Sequence, residues 1–436
     1  MSKKSFIRGT AILTCTGFIS RIIGFFYRIF LSHTIGAQGL GLYQLVLPVQ
    51  NIASAITGSG IQTALSRLIA SRLALGKRSE AQNCFLLGTA SAFLLSAAVS
   101  ALIYRNSLFV ASELLKTPET AALIRILALS FPLNTVHTCI NSYYFAKKNT
   151  VIPSGLQLLE QIVRVGSSCL IYLILVSKNV EVTAVIAAGG ALASEVAVSL
   201  SGMLLIGTVF TESGFSLKDI QNPAGELREI FSMSLPLTLN RLLITLLGSM
   251  EMVLIPQQLM AYGLDQQAAL SLYGTLTGMA LPLILFPSAV TNSASVLLMP
   301  SVAEMQALGY RRRIRHVTGQ SLKACILLGS FCFLGFFFFG PFLGRFLFHS
   351  PEAGTYIRTL AFICPFLYMN TALTGILHGL GKNGVCLIHS ASGILLRILF
   401  VIFAIPVSGI RGYMYGILFS ELLLSILHLT VLYRYE

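Results

Sequence analysis

The sequence predicts an all-α polytopic membrane protein with about twelve transmembrane helices in two parallel six-helix lobes. Three observations lead to this fold class. The 436 residues are 55% hydrophobic and 11% charged, with a mean hydropathy of +0.79, whereas soluble domains carry about 25% charged residues. The second half of the chain repeats the first at a spacing of 233 residues, and Lys and Arg are concentrated in alternate connecting segments.

The spans follow from length and hydropathy, because each bilayer crossing needs about 20 apolar residues. In the first lobe, residues 1–208, they are expected at 8–32, 42–66, 82–105, 119–145, 152–176 and 182–208. In the second lobe, residues 230–436, they are expected at 230–256, 270–299, 318–347, 353–378, 384–406 and 410–433. The polar segment 209–229 between the lobes is expected to be an amphipathic cytoplasmic linker.

The repeat relates short motifs and buried charges in the two halves. Thr117-Pro118-Glu119 corresponds to Ser350-Pro351-Glu352, and Arg164 corresponds to Arg397. Each copy has an even number of spans, so both copies enter the membrane in the same direction and form a parallel repeat. A duplicated bundle that keeps charges at membrane depth is typical of a secondary transporter.

Basic residues predict the orientation of the chain. Alternate connections hold clusters such as Lys77-Arg78, Lys147-Lys148 and 311–315, whereas the others hold isolated residues such as Arg105 and Lys178. Cytoplasmic loops of membrane proteins carry the excess of Lys and Arg. Both termini are therefore expected in the cytoplasm. The net charge of +14 is interpreted as this topology signal and not as a sign of nucleic-acid binding.

The sequence lacks the common motifs of catalysis and cofactor binding. Its eight cysteines are scattered and are interpreted as small apolar residues. It has no CxxC, HExxH, EF-hand loop or GxxxxGK[ST] motif, and no nucleophile beside an evident base. We expect no enzymatic activity, no cofactor, no metal and no nucleic-acid partner. A monomer in the lipid bilayer is expected.

Two runs of sequence carry a family resemblance. Ser20-Arg21 followed by 35–44 (IGAQGLGLYQ) is similar to the polysaccharide-biosynthesis branch of the multidrug/oligosaccharidyl-lipid/polysaccharide (MOP) flippase superfamily. The second run, 272–283 (LYGTLTGMALPL) with 298–304 (LMPSVAE), resembles the stage V sporulation protein B group, which is related to the lipid II flippase. The resemblance extends over essentially the whole chain.

The resemblance implies a V-shaped, MATE-like pair of lobes whose central cavity opens alternately to each side of the membrane. It also implies the movement of undecaprenyl-linked sugars for cell-wall, spore-cortex or polysaccharide biosynthesis. Relatives in this group have fourteen spans, the last two of which help to form a groove for the lipid tail, so the route of the tail stays open here. Two alternatives also stay open: a cation-coupled multidrug exporter of the same superfamily, and a non-transporting scaffold for a glycosyltransferase.

Arginines on the equivalent first helices of the lobes are the candidate substrate-binding residues. They are Arg21 and Arg28 in span one and Arg241 in span seven. An arginine that faces lipid at the centre of a span costs roughly 2.5 to 3.5 kcal/mol, so these side chains are expected to face partners or water. Guanidinium groups match phosphate oxygens with paired hydrogen bonds. We therefore predict that they bind the pyrophosphate of an undecaprenyl-linked sugar, with snorkelling or interhelical hydrogen bonding as the alternative.

Five further charges lie near the centres of spans in related places. Since consecutive helices usually neighbour each other, Arg164 is expected to pair with Glu195, and Arg397 with Glu421; Glu160 adds a second acid one turn before Arg164. Either these residues form ion pairs within each lobe, or they line the cavity.

A further acid, Glu251, lies in span seven and is a candidate for the binding of a coupling cation, either a proton or a sodium ion. A desolvated carboxylate suits that role. The alternative is a salt bridge with Arg28 or with an arginine elsewhere.

Overall fold

A computed structural model describes the backbone of residues 3–212 and 222–435 and the side chains of these ranges, except those of 3–11, 212, 297 and 434–435. The described ranges are helical and contain no strand. The first α-helices are α1 (Lys3–Ser54), α2 (Gly60–Ala74), α3 (Arg78–Arg105), α4 (Ser107–Phe109), α5 (Ala121–Ala146), α6 (Val151–Ser177) and α7 (Val185–Glu212). The later ones are α8 (Pro223–Ala261), α9 (Gln266–Gly274), α10 (Leu281–Leu285), α11 (Ser288–Ala307), α12 (Arg311–Phe348), α13 (Pro351–Leu360), α14 (Cys364–Gly379), α15 (Asn383–Phe403), α16 (Ile405–Ser408) and α17 (Ile410–Tyr435).

Short π and 3-10 segments continue several of these helices. The π-helical segments are Ala55–Ser59, Val110–Leu114 and Thr275–Ala280, and the 3-10 segments are Pro118–Thr120 and Ala361–Ile363. The first π segment joins α1 to α2, and the third joins α9 to α10. Both joined helices therefore run on past a local change of helical geometry, as is common at functional sites.

Eleven helical segments within the described ranges are long and apolar enough to cross a membrane. The first, Ile12–Ala74, has 63 residues and would be about 95 Å long if straight, about three times the thickness of the hydrocarbon core. It contains Gly36, whose φ of 66° and ψ of −175° are not helical. This segment includes both of the first two predicted spans, which accounts for eleven segments where about twelve spans were expected. The predicted fold class of a multi-pass helical membrane protein is confirmed.

The backbone carries the same duplication as the sequence. Helices α2 and α11 end at Ala74 and Ala307, and α3 and α12 begin at Arg78 and Arg311, so both boundaries recur at the 233-residue spacing. Left-handed backbone conformations recur at this spacing too: Gly76 with Gly309, Lys116 with His349, and Lys148 with Gly381. The repeat therefore determines where helices end as well as which residues they contain.

The chain folds into two compact units. Unit 1 consists of Met1–Gly24 with Leu45–Ser249, and unit 2 consists of Phe25–Gln44 with Met250–Glu436. These units follow spatial packing, whereas the predicted lobes, 1–208 and 230–436, follow the sequence repeat. The lobe boundaries stay a prediction, and residues 213–221 of the expected linker lie outside the described residues.

Within unit 1, the start of α8 is fastened to the end of α2 by one arginine. Arg72 Nη1 donates to Glu226 Oε2 at 2.6 Å and to the carbonyl oxygen of Glu80 at 3.0 Å, and its Nη2 donates to Glu229 Oε2 at 2.7 Å. The hydrophobic core of this unit contains Leu65, Phe85, Cys139, Tyr143 and Ile230, among other residues. Ile230 of α8 belongs to this core, so apolar packing and the ion pairs hold the same segment.

Within unit 2, the two runs that carry the family resemblance pack against each other. A Cβ atom on Gly41 would lie 2.1 Å from the carbonyl oxygen of Leu270, and one on Gly274 would lie 2.0 Å from that of Ala37. Gly278 packs against Leu40 in the same region. Since real Cβ contacts are never so short, both backbones can approach only because glycine occupies these positions.

Candidate functional site

The charged site of unit 2 is centred on a paired Glu251 and Arg397. Arg397 Nε donates to Glu251 Oε1 at 2.6 Å, and Arg397 Nη2 donates to Oε2 at 3.0 Å. Tyr413 adds a third hydrogen bond from its hydroxyl to Oε1 at 2.8 Å. The carboxylate is almost fully enclosed, because Glu251 is 4% exposed. Arg397 on α15 thus forms a bidentate ion pair with Glu251 on α8, the geometry in which a guanidinium binds a carboxylate most strongly. The Tyr413 hydroxyl connects α17 to the same carboxylate.

This arrangement differs from the predicted partner of Arg397, which was Glu421. Asn370 Nδ2 donates to Glu421 Oε2 at 2.8 Å and to the Glu421 carbonyl oxygen at 2.9 Å, while Ser425 Oγ donates to Asn370 Oδ1 at 2.9 Å. The carboxylate of Glu421 is therefore held by an amide on α14. The carboxylate that directly binds Arg397 comes instead from α8, which is distant in sequence.

Unit 1 holds its membrane-embedded acids in a related way. Glu195 on α7 accepts a hydrogen bond from Asn134 Nδ2 at 3.0 Å and lies 3.6 Å from His137 Nδ1. His137 stands 233 positions before Asn370, so in each half a polar side chain at the same repeat position contacts the acid of the last helix. Arg164 pairs with Glu160, one turn earlier on α6, where the sequence had suggested Glu195.

The three arginines predicted to bind substrate are divided between the units. Arg21 on α1 and Arg241 on α8 belong to unit 1, and both side chains are exposed. Arg28 belongs to unit 2 and is half-buried, with its Nη1 3.5 Å from the carbonyl oxygen of Thr277. Thr277 lies in the run 272–283, so this guanidinium contacts the segment with the family resemblance. Pyrophosphate binding by the three residues stays a prediction.

Unit 2 also contains a cavity of about 900 Å³ that the sequence did not predict. Two of its lining residues, His33 and His349, have ring centroids 4.5 Å apart, and His33 Nε2 bonds to the carbonyl oxygen of Leu347 at 2.8 Å. Ser271, Thr275 and Glu352 also line it. None of the three predicted arginines is among its lining residues.

Sequence reasoning missed several polar partners of the buried charges, namely Asn134, His137, Asn370 and Tyr413. The signal that would have found two of them is the repeat itself, since His137 and Asn370 are related by the 233-residue spacing. Across the residues that the structure describes, no group of three or more His, Cys, Asp or Glu side chains is placed to hold a metal ion.

The chain is similar in sequence to a known protein family and to sporulation proteins of one bacterium. The profile of the family described as "Polysaccharide biosynthesis protein" matches residues 6–306. Stage V sporulation protein B of Bacillus subtilis (strain 168) is 27% identical over 436 residues, covering 98% of this chain and 83% of that protein. Sporulation protein YkvU of the same organism is 22% identical over 361 residues, covering 81% of this chain and 78% of that protein.

Solved structures share the fold. The lipid II flippase MurJ in its inward closed conformation superposes with a TM-score of 0.74 at 13% identity, covering 97% of this chain and 87% of that one. The inward-facing conformation of a multidrug resistance MATE family transporter of the MOP superfamily gives a TM-score of 0.73 at 15% identity, covering 98% of this chain and 97% of that one. The helical arrangement is therefore that of MATE and MurJ transporters, as the resemblance implied.

Proposed function

Because the chain belongs to the polysaccharide biosynthesis protein family and has the fold of MOP-superfamily transporters, we propose that it is a lipid-linked sugar flippase. It moves an undecaprenyl-linked oligosaccharide or peptidoglycan precursor across the bacterial plasma membrane by alternating access. The product serves cell-wall, spore-cortex or polysaccharide biosynthesis.

The observation that carries this proposal is the exposure of two arginines in the membrane-spanning helices. Arg21 and Arg241, both in unit 1, are exposed. An exposed guanidinium at membrane depth is costly against lipid, at roughly 2.5 to 3.5 kcal/mol, and is favoured against water or an anionic ligand. Such groups suit the pyrophosphate of a lipid-linked sugar.

These exposed positive charges favour an anionic substrate over the cationic drugs of a multidrug exporter. Residues 12–54 of α1 contain Arg21 and Arg28 but no Asp or Glu, so the first helix offers no carboxylate for a cationic substrate. A scaffold for a glycosyltransferase would not require exposed arginines at membrane depth. These charges therefore support the flippase among the three candidate functions.

Glu251 is the residue that we propose couples transport to a cation. Its two oxygens are occupied by Arg397 and Tyr413, so a proton or a sodium ion reaches the carboxylate only when Arg397 releases it. Binding of the cation and binding of Arg397 are then mutually exclusive on one carboxylate. A cation that binds Glu251 only when Arg397 is released favours the conformation in which the pair is broken, and so shifts the equilibrium between the paired and unpaired conformations.

The proposal is tested with purified protein in liposomes that carry an undecaprenyl-pyrophosphate-linked sugar. The sugar exposed on the outer surface is counted with a membrane-impermeant enzyme that modifies it. We expect the wild type to equilibrate the sugar across the bilayer, and the Arg21→Ala and Arg241→Ala variants to fail at equal protein content. Arg125→Ala is the matched control, because Arg125 Nε donates to Ser107 Oγ at 2.8 Å and lies outside the predicted site. Unchanged sidedness with the wild type, or normal transport by both variants, would contradict the proposal.

A further inference from the structure

Two buried histidines meet in the interior of unit 2. His389 of α15 and His428 of α17 are 6% and 3% exposed. Their Nδ1 atoms are 3.3 Å apart, and the ring centroids are 4.9 Å apart. His428 also reaches two other groups: its Nδ1 lies 2.8 Å from the carbonyl oxygen of Leu424, and its Nε2 lies 3.1 Å from Thr374 Oγ1. The hydrogen-bond partners of the two rings indicate which ring nitrogens carry a proton.

The hydrogen-bond network assigns most of these protons. The Leu424 carbonyl oxygen only accepts, so His428 Nδ1 carries a proton, and His389 Nδ1 therefore accepts. Thr374 Oγ1 has a single proton and also lies 2.8 Å from the Asn370 carbonyl oxygen, to which it donates. A threonine hydroxyl can rotate, so when both rings are neutral this proton turns to His428 Nε2 instead. The neutral pair is then satisfied as well.

One additional proton reverses the hydrogen bond between Thr374 and His428. If His428 carries protons on both nitrogens, Nδ1 donates to Leu424 and His389, and Nε2 donates to Thr374 Oγ1. Thr374 in turn donates to the Asn370 carbonyl oxygen. Each hydrogen bond then has one donor and one acceptor, so the geometry accommodates a pair of rings that share one excess proton. Buried polar groups are stable when every member of the network is satisfied in this way.

An acid lies on the same face of α17 as His428. Glu421 lies seven residues before His428, two helical turns or about 10.5 Å along the axis, and it is bound by Asn370, one turn from Thr374. The other charged or titratable groups around the two histidines and Glu421 are His378 on α14, Arg397 on α15, Tyr413 on α17 and Glu251 on α8. Burial and the cationic neighbours oppose a charge on the rings, whereas Glu421 favours it.

We propose that the His389–His428 pair is a proton-binding site, loaded and unloaded during the transport cycle. The inference rests on the proposed function for its biological role, and it identifies the proton as a cation that the protein binds. Imidazole nitrogens bind protons, whereas sodium ions prefer oxygen ligands. Loading adds the proton to His428 Nε2, and unloading removes it from the same atom, while His428 Nδ1 keeps the proton that it donates to the Leu424 carbonyl oxygen. His389 Nδ1 accepts a hydrogen bond from His428 Nδ1 and stabilises the positive charge.

The first experiment detects the proton without requiring transport. Full-length protein with ¹⁵N-labelled histidine is titrated in detergent between about pH 4.5 and 8, the range in which histidine charges. Signals of His389 and His428, assigned from His389→Gln and His428→Gln, are expected to change at one common pH, as for a shared proton. Glu421→Gln should lower that pH by about one unit, because it removes an opposite charge about 10 Å away. Two rings that titrate independently, or that remain neutral throughout the range, would overturn the proposal.

The second experiment connects the site with transport. Sugar equilibration in liposomes is measured against pH for the wild type, His389→Gln and Thr374→Val; the last variant removes the acceptor of His428 Nε2 while leaving both rings in place. Both variants should lose the pH dependence of the wild-type rate. His316→Gln should retain it, because His316 is an exposed residue on α12. A wild-type pH profile in both variants, or a rate that follows sodium and not pH, contradicts the inference. A wild type that moves no sugar contradicts the proposed function alone, since the histidine titration is still measured.

Discussion

Arg397 and Glu251 are joined by two parallel hydrogen bonds of 2.6 and 3.0 Å, although 146 residues separate them. The pair is enclosed, and the Tyr413 hydroxyl also donates to the carboxylate. The charge of a repeat-related arginine is thereby neutralised by an acid that has no counterpart in the repeat. Within unit 2 this bond connects the helix with the candidate coupling residue to the helix that contains His389.

Removal of one partner of this pair should destabilise the protein strongly. Glu251→Gln or Arg397→Leu leaves the other side chain charged and buried, which typically costs about 3 to 5 kcal/mol. Unfolding of the purified protein in detergent, followed by heating or denaturant, measures the loss. The double variant Glu251→Leu with Arg397→Leu should be less destabilised than either single variant, because it leaves no unpaired charge. Single variants that unfold like the wild type would contradict this role.

Substitution of Gly41 should disturb unit 2 more than substitution of a glycine in open space. In Gly41→Ala the new methyl group would lie 2.1 Å from the Leu270 carbonyl oxygen, and overpacking of this kind costs about 1 to 3 kcal/mol. Gly155→Ala on α6 is the matched control, since no atom lies within 4 Å of its Cβ position, and alanine there favours the helix by up to about 1 kcal/mol. Denaturant unfolding of both variants checks the difference. Equal stabilities would show that the two runs do not touch closely.

Conservative replacement of the exposed arginines tests whether they bind phosphate through a guanidinium fork. Arg241→Lys keeps the charge but removes the paired donors, so affinity for a short-chain prenyl pyrophosphate should fall about tenfold, and Arg241→Ala should reduce it further. Calorimetric titration of purified protein measures both constants. Arg125→Lys should bind like the wild type. If Arg241→Lys binds normally, the site needs only a positive charge at this position.

The two acids that bind Arg72 should contribute unequally. The side chain of Glu226 is 15% exposed and that of Glu229 is 52% exposed, and exposed ion pairs contribute at most about 1 kcal/mol. Glu226→Gln should therefore increase hydrogen exchange at the start of α8 clearly more than Glu229→Gln. Hydrogen exchange of residues 223–235, read by mass spectrometry, compares the two. The reverse order would mean that Arg72 is held chiefly by Glu229.

The sequence predicted the helices well and the charge pairs less well, for physical reasons. Hydropathy and turn residues determine where a span begins and ends, so Ala74, Arg78, Ala307 and Arg311 lie at boundaries consistent with the repeat. Depth in the membrane does not determine which helices are neighbours. Arg397 was therefore assigned an acid on the next long helix, whereas the structure provides Glu251 from α8.

The sequence also did not show that neutral polar side chains would bind the carboxylates that were expected to pair with arginines. Glu421 is bound by Asn370, and Glu195 by Asn134 and His137, and these partners are isolated polar residues in apolar helices. The two histidines of unit 2 are likewise 39 residues apart and become neighbours only because α15 packs on α17. The candidate substrate arginines could be proposed from sequence because a charged residue inside an apolar span is recognisable without knowledge of its neighbours.

The close approach of Gly41 and Gly274 gives a structural meaning to the two runs that carry the family resemblance. Two stretches of sequence that are recognised separately form the opposite sides of a single backbone contact, so neither is free to vary without the other. Conservation of these two stretches among relatives would follow from the short distance between the two helices and would not depend on the transported substrate. A match to these stretches consequently identifies the scaffold, and proteins with different sugars, or with no sugar at all, would be expected to share it.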